Sequence, residues 1–102
     1  MTIEWAAGLF EGEGCIPRHD TRRGYRLFLG MTDFDVVEEF QKTIGCGKIR
    51  ECKQPKAHHK NMYRWSVTDK ANVRAVLERL VPFFGIRRGY VALNYLDIID
   101  NV

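Results

Sequence analysis

At 102 residues the chain has room for one domain, residues 1–102, and one modest core. Its 45% hydrophobic and 28% charged residues describe a soluble globular protein, and no apolar run approaches the ~20 residues that a membrane span requires. The net charge of +3 says little by itself. An N-terminus without a basic, signal-like start, and three cysteines (Cys15, Cys46, Cys52) with no close pair, lead us to expect an intracellular, unsecreted protein in a reducing compartment.

In chain order, Thr2 is placed to cap a short helix from Ile3 to Glu11, and Gly14 to stop it. From Cys15 to Met31 two extended runs flank "RHDTRRG". In the second, Tyr25, Leu27, Leu29 and Met31 alternate with Arg26, Phe28 and Gly30. Thr32 or Asp33 caps a helix with Val36, Val37, Phe40 and Ile44 on one side, and "GCG" ends it. "KIREC" and "MYRWSVT", joined by "KQPKAHHKN", form a second pair of extended runs. Asp69 caps a helix with Val73, Val76, Leu77 and Leu80 on its apolar stripe, and Pro82 breaks it. A last helix, roughly Arg88 to Ile99, carries Val91, Tyr95, Leu96 and Ile99. "YRLFLGMTD" and "YRWSVTD" form a faint repeat, each closing a hairpin and opening a helix. The expected fold class is α+β, a four-stranded antiparallel sheet with helices packed on one face.

Charge follows this order. Residues 15–30 and 46–66, the two hairpins, hold ten Lys/Arg against two acids, whereas the rest holds six against eleven. A cationic antiparallel sheet fits a DNA groove, so double-stranded DNA is the expected partner. With Leu27, Leu29, Ile49 and Trp65 facing inward, Arg26, Phe28, Lys48, Arg50 and Arg64 face outward. His19 joins them on the first strand, with Arg18, Arg22, Arg23 and Lys53 beside them. Cys46, Cys52, His58 and His59 match no tight Cys-x-x-Cys zinc knuckle.

The stretch "AAGLFEGEG", residues 6–14, carries two acids at the carbonyl end of a helix, where negative charge costs a few tenths of a kcal/mol to ~1 kcal/mol each. Gly8 and Gly12 lie four apart on one helical face, with Ala7 beside them. Small residues at that spacing let two helix backbones touch, so we expect Ala7, Gly8, Glu11 and Gly12 at a homodimer interface. Two copies would bring their Glu13 carboxylates together beside bound phosphates, a hard-oxygen setting for Mg²⁺ or Mn²⁺.

This stretch resembles the defining motif of the LAGLIDADG homing endonucleases, with Glu for Asp at both acids. The resemblance runs through the element order, "IGCG", "PFF" and the basic pair Arg87–Arg88. It implies an αββαββα fold and site-specific, metal-dependent cleavage of long, pseudo-palindromic DNA sites. With one motif copy, it implies a homodimer. Glu13 matches the metal-binding acid, and Glu11 the acid that helps cap and hold the paired helices. Asp33 falls near a position that often holds a polar residue of the site, although in the repeat Asp69 occupies the same place as a simple cap. Arg87 stands where many members carry a lysine near the scissile phosphate. It keeps the charge but does not readily exchange a proton, so it suits charge stabilisation. Arg88 is the neighbouring candidate. The chain is short for the class and lacks the C-terminal extension of some members. The alternative is a catalytically inactive LAGLIDADG-type protein, an RNA-splicing maturase or DNA-binding regulator. Both acids and the basic residue at 87 favour the nuclease.

Overall fold

The computed structural model describes residues 1–17, 24–53 and 60–100. The expected DNA contacts Arg18, His19, Arg22 and Arg23, and the histidines His58 and His59, lie outside the described residues. Helix α1 (Ile3–Glu13) starts where the Thr2 hydroxyl accepts the Trp5 N–H at 3.1 Å. It runs two residues further than Glu11, with Glu13 as its last residue. Its inward face is Ala6, Ala7 and Phe10. Gly14 ends it for a packing reason, since a Cβ there would lie 2.4 Å from the Phe10 ring.

Strand β1 (Gly14–Cys15) is only two residues long, shorter than the expected first run, and pairs Gly14 with Leu29 and Cys15 with Phe28 of β2 (Leu27–Met31). Helix α2 (Phe34–Ile44) buries Val37, Phe40 and Ile44 and ends at Gly45, whose φ of 87° is the left-handed turn glycine favours. Strands β3 (Lys48–Cys52) and β4 (Met62–Val67) pair antiparallel, and the sheet order is β1-β2-β4-β3. The two repeat segments thus form the central pair, with Leu27 opposite Val67 and Leu29 opposite Trp65. Each leads through an aspartate into its helix, α2 or α3 (Lys70–Leu80).

After a 3-10 turn over Val81–Phe83, helix α4 (Ile86–Asp100) begins two residues earlier than expected. Its buried stripe is Ala92, Tyr95 and Ile99, and Val91 is exposed instead of inward. Helices α1 and α2 pack on the central strands. A run of aromatic contacts joins the sheet to the start of α4: Trp65 to Phe40 at 4.9 Å, Phe40 to Phe10 at 6.3 Å, and Phe10 to Phe84 at 6.0 Å. These rings fix the end of α1 relative to both the sheet and α4. Among the described residues no helix is long and apolar enough to cross a membrane.

Candidate nucleic-acid interface and metal site

The solvent face of the sheet follows from strand alternation. Leu27, Leu29, Trp65 and Val67 are buried, so their alternates point the other way. Arg26, Phe28, Lys48, Arg50 and Arg64 line one groove of about 760 Å³. This is the outward set expected from the sequence, without His19, which is not described. Lys53 is exposed just beyond β3. Within the groove Arg50 stands directly opposite Arg64 across the β3–β4 ladder. Like charges opposed in this way cost roughly 0.2–1 kcal/mol. The ion pairs seen among the described residues are all elsewhere: Met1–Glu39, Lys42–Glu38, and Arg74 with Glu78 and Asp100. The acids of the helical layer are therefore partly neutralised locally, while the sheet cations are left to attract an anion.

The end of α1 meets the start of α4. The Gly85 N–H donates to the Glu11 carboxylate at 2.7 Å, and Arg88 donates to the Glu11 carbonyl at 2.9 Å. One residue thus caps α4 with its side chain and is itself capped through its backbone. The arginine supplies positive charge where the α1 dipole is negative, an effect worth about 0.3–1 kcal/mol. This offsets the cost raised by the acidic helix end. Within the chain Glu11 holds the start of α4, and Arg88 is bonded to α1. The sequence signal for this staple was the basic pair near the last helix, but pairing Arg88 with residue 11 requires the fold.

Glu13 is exposed at the last position of α1 and joins none of the ion pairs seen among the described residues. Arg87 is exposed on the first turn of α4, one residue before the arginine that touches α1. Asp33 occupies the N-cap position of α2, where its backbone carbonyl accepts from Val36 at 3.1 Å, but its side chain makes no cap bond. Asp69, its counterpart, does cap, accepting from the Asn72 N–H at 2.9 Å. The Asn72 backbone bond, followed by its side-chain bond, holds the Asp69 carboxyl below its ordinary value. The capping account offered by the repeat therefore holds for Asp69 and not for the Asp33 side chain.

Among the described residues no three His, Cys, Asp or Glu side chains gather to hold a metal ion. At the end of α1 the exposed carboxylate is that of Glu13. A lone exposed carboxylate suits Mg²⁺, which keeps several waters and takes one or two carboxylates plus phosphate oxygens. Along the same helix Gly8 and Gly12 are exposed, with nothing among the described residues within 4 Å of where a side chain would begin. Ala7 is fully buried against the chain's own core, so it is not available to a partner helix, contrary to expectation. A step of one residue along α1 turns it about 100°, which carries Ala7 away from the face of Gly8 and Gly12.

No family model matches the chain. The fold is that of the LAGLIDADG homing endonucleases, and residues 6–14 resemble one copy of their motif. The DNA endonuclease I-CvuI of Chlorella vulgaris is 25% identical over 113 aligned positions, covering all of this chain and 66% of that enzyme. The crystal structure of I-CvuI in complex with a DNA target in 2 mM Mg matches with a TM-score of 0.73 and 26% identity, over 96% of this chain and 65% of that one. The LAGLIDADG meganuclease I-CpaMI, bound to uncleaved DNA, shares the fold with a TM-score of 0.70 at 13% identity, over 99% of this chain and 37% of its own. The chain spans just under two thirds of the length of I-CvuI.

Proposed function

We propose that this chain is a site-specific, divalent-metal-dependent DNA endonuclease that acts as a homodimer on a roughly palindromic duplex site. The observation that carries the reading is the pairing of a groove lined by Arg26, Lys48, Arg50 and Arg64 with an exposed carboxylate, Glu13, that joins no ion pair seen among the described residues, at the end of a glycine-faced helix. The groove supplies duplex affinity through phosphate neutralisation. Gly8 and Gly12 supply the face on which a second copy of α1 packs. Phe83 and Ile86, both exposed, flank Gly85, which is bonded to Glu11, so apolar surface continues beside that face.

Two copies bring two Glu13 carboxylates together. These residues would hold Mg²⁺ or Mn²⁺, and the ion would supply Lewis-acid polarisation of the phosphoryl oxygens. Arg87 offsets the charge that builds on the scissile phosphate, and it stays protonated throughout. Asp33, whose side chain makes no cap bond at the head of α2, is proposed as a polar residue supporting the site. I-CvuI, the related enzyme, is a DNA endonuclease, and its structures hold DNA in the presence of Mg or Ca.

The test is incubation with a randomised duplex library with and without Mg²⁺, followed by sequencing of cut ends. Recovery of one near-palindromic site, cut only with the metal, supports the reading. Selective binding without cutting in either metal would favour a DNA-binding regulator instead.

A further inference from the structure

We infer that Phe28, held between Arg26 and Arg64, is a base-reading subsite for the C5-methyl group of a pyrimidine in the major groove. This rests on the duplex-DNA reading above. Phe28 lies on the solvent face of β2, where alternation calls for a polar residue, and it is half-buried there. Its direct cross-strand neighbours, Cys15 on β1 and Ser66 on β4, are both small, and Lys48 continues the same row on β3.

What holds the ring is charge. The Arg64 guanidinium carbon stands over it at 4.9 Å and that of Arg26 at 5.5 Å. Such contacts are attractive through the ring quadrupole. The support is firm as well, because the Arg26 backbone N–H donates to the Tyr95 hydroxyl at 3.1 Å, tying this end of the strand to α4. The Arg26 Nε is buried and has no hydrogen-bond partner among the described residues, so the ring contact is part of what positions this side chain.

A phenyl ring has no donor for a phosphate and none for a base edge. The apolar feature that the major groove displays is the C5-methyl of thymine, and 5-methylcytosine presents the same group. A ring at the centre of a cationic groove, with guanidiniums engaged on it, fits that methyl and leaves the arginine donors to neighbouring phosphates or guanines.

The experiment uses the site selected by the full chain. Each thymine is replaced in turn by deoxyuridine, which removes only the methyl, and binding is measured by titration. The expected result is one symmetry-related pair of positions at which wild-type binding falls about fourfold per half-site, the effect of one buried methyl-sized group. Phe28→Ser abolishes that difference between thymine and deoxyuridine, whatever it does to overall affinity, and Phe28→Leu, which keeps an apolar surface, retains it. Placing 5-methylcytosine against cytosine at the same pair shows whether the methyl alone is read or the thymine–adenine pair with it.

If the protein binds its site but no thymine is sensitive, or the sensitive pair is indifferent to Phe28→Ser, the subsite is refuted and the nuclease reading stands. If the protein binds no duplex, the nuclease reading fails and the subsite falls with it. The deoxyuridine scan on the wild type needs no variant, so a poorly folding substitution does not blunt the test.

Discussion

Glu11 and Glu13, two residues apart, have different work because the helix turns them to different neighbours. Glu11 meets the start of α4 and accepts the Gly85 N–H, whereas Glu13 is exposed at the helix end. Glu11→Ala should therefore behave as the loss of a helix cap, costing about 1 kcal/mol. In a chain of this size that lowers the melting temperature by roughly 4–8 °C, measurable by circular dichroism. The two arginines divide in the same way. Arg88→Met should lower the melting temperature, since Arg88 bonds the Glu11 carbonyl. Arg87→Met should leave the melt unchanged and reduce cleavage.

Asp69 gives a test in pH. Its folded carboxyl is held below the ordinary value of 3.8, chiefly by the Asn72 backbone bond. A depressed acid contributes stability that is fully present above the unfolded value and is lost as pH falls through the folded one. The stability difference between wild type and Asp69→Ala should thus be constant near neutrality and narrow below 3.8.

At the scale of elements, the three helices with strong apolar stripes or clear caps were legible. Val37, Phe40 and Ile44 recur at helical spacing, as do Val73, Val76, Leu77 and Leu80, and all are buried. Strand alternation placed Leu27, Leu29 and Trp65 inward and the groove cations outward. Helix α4 was less legible because its pattern is interrupted by Gly89 and shares apolar residues between two faces: Ala92 and Tyr95 turn inward while Tyr90 and Leu93 are exposed. Ala7 was misplaced because alanine suits either a helix contact or a core, and only packing decides. The Glu11 staple was hidden for a related reason, since its partners lie 74 and 77 residues away.

The β3–β4 hairpin depends on one more local fit. Gly47 has a φ of 95°, and a Cβ there would lie 2.2 Å from the Trp65 Nε1, which donates to the Cys46 carbonyl at 2.8 Å. Gly47→Ala should cost at least about 1–3 kcal/mol from the backbone alone, read by urea unfolding.

At the scale of the whole molecule, the monomer is a folded unit with half of a proposed metal site. Among the described residues nothing lies within 4 Å of where a side chain at Gly12 would begin, and alanine is favoured over glycine in a helix by about 1 kcal/mol. Gly12→Ala should accordingly leave the monomer fold intact yet weaken self-association by separating the two helices, as sedimentation velocity would show. Duplex binding should weaken steeply with salt, log K falling by about 0.9 per phosphate neutralised, and Arg50→Ala should make that slope shallower.

The central claim is that the exposed carboxylate at the end of α1 holds the metal that cuts DNA. The direct measurement is cleavage of the selected site in Mg²⁺ by wild type and Glu13→Gln, at protein concentrations where both fully bind it. The account predicts that Glu13→Gln binds the site as tightly as wild type or more so, since fewer carboxylates face the phosphates, and that its cleavage rate falls by orders of magnitude. Cleavage by Glu13→Gln at the wild-type rate would contradict it.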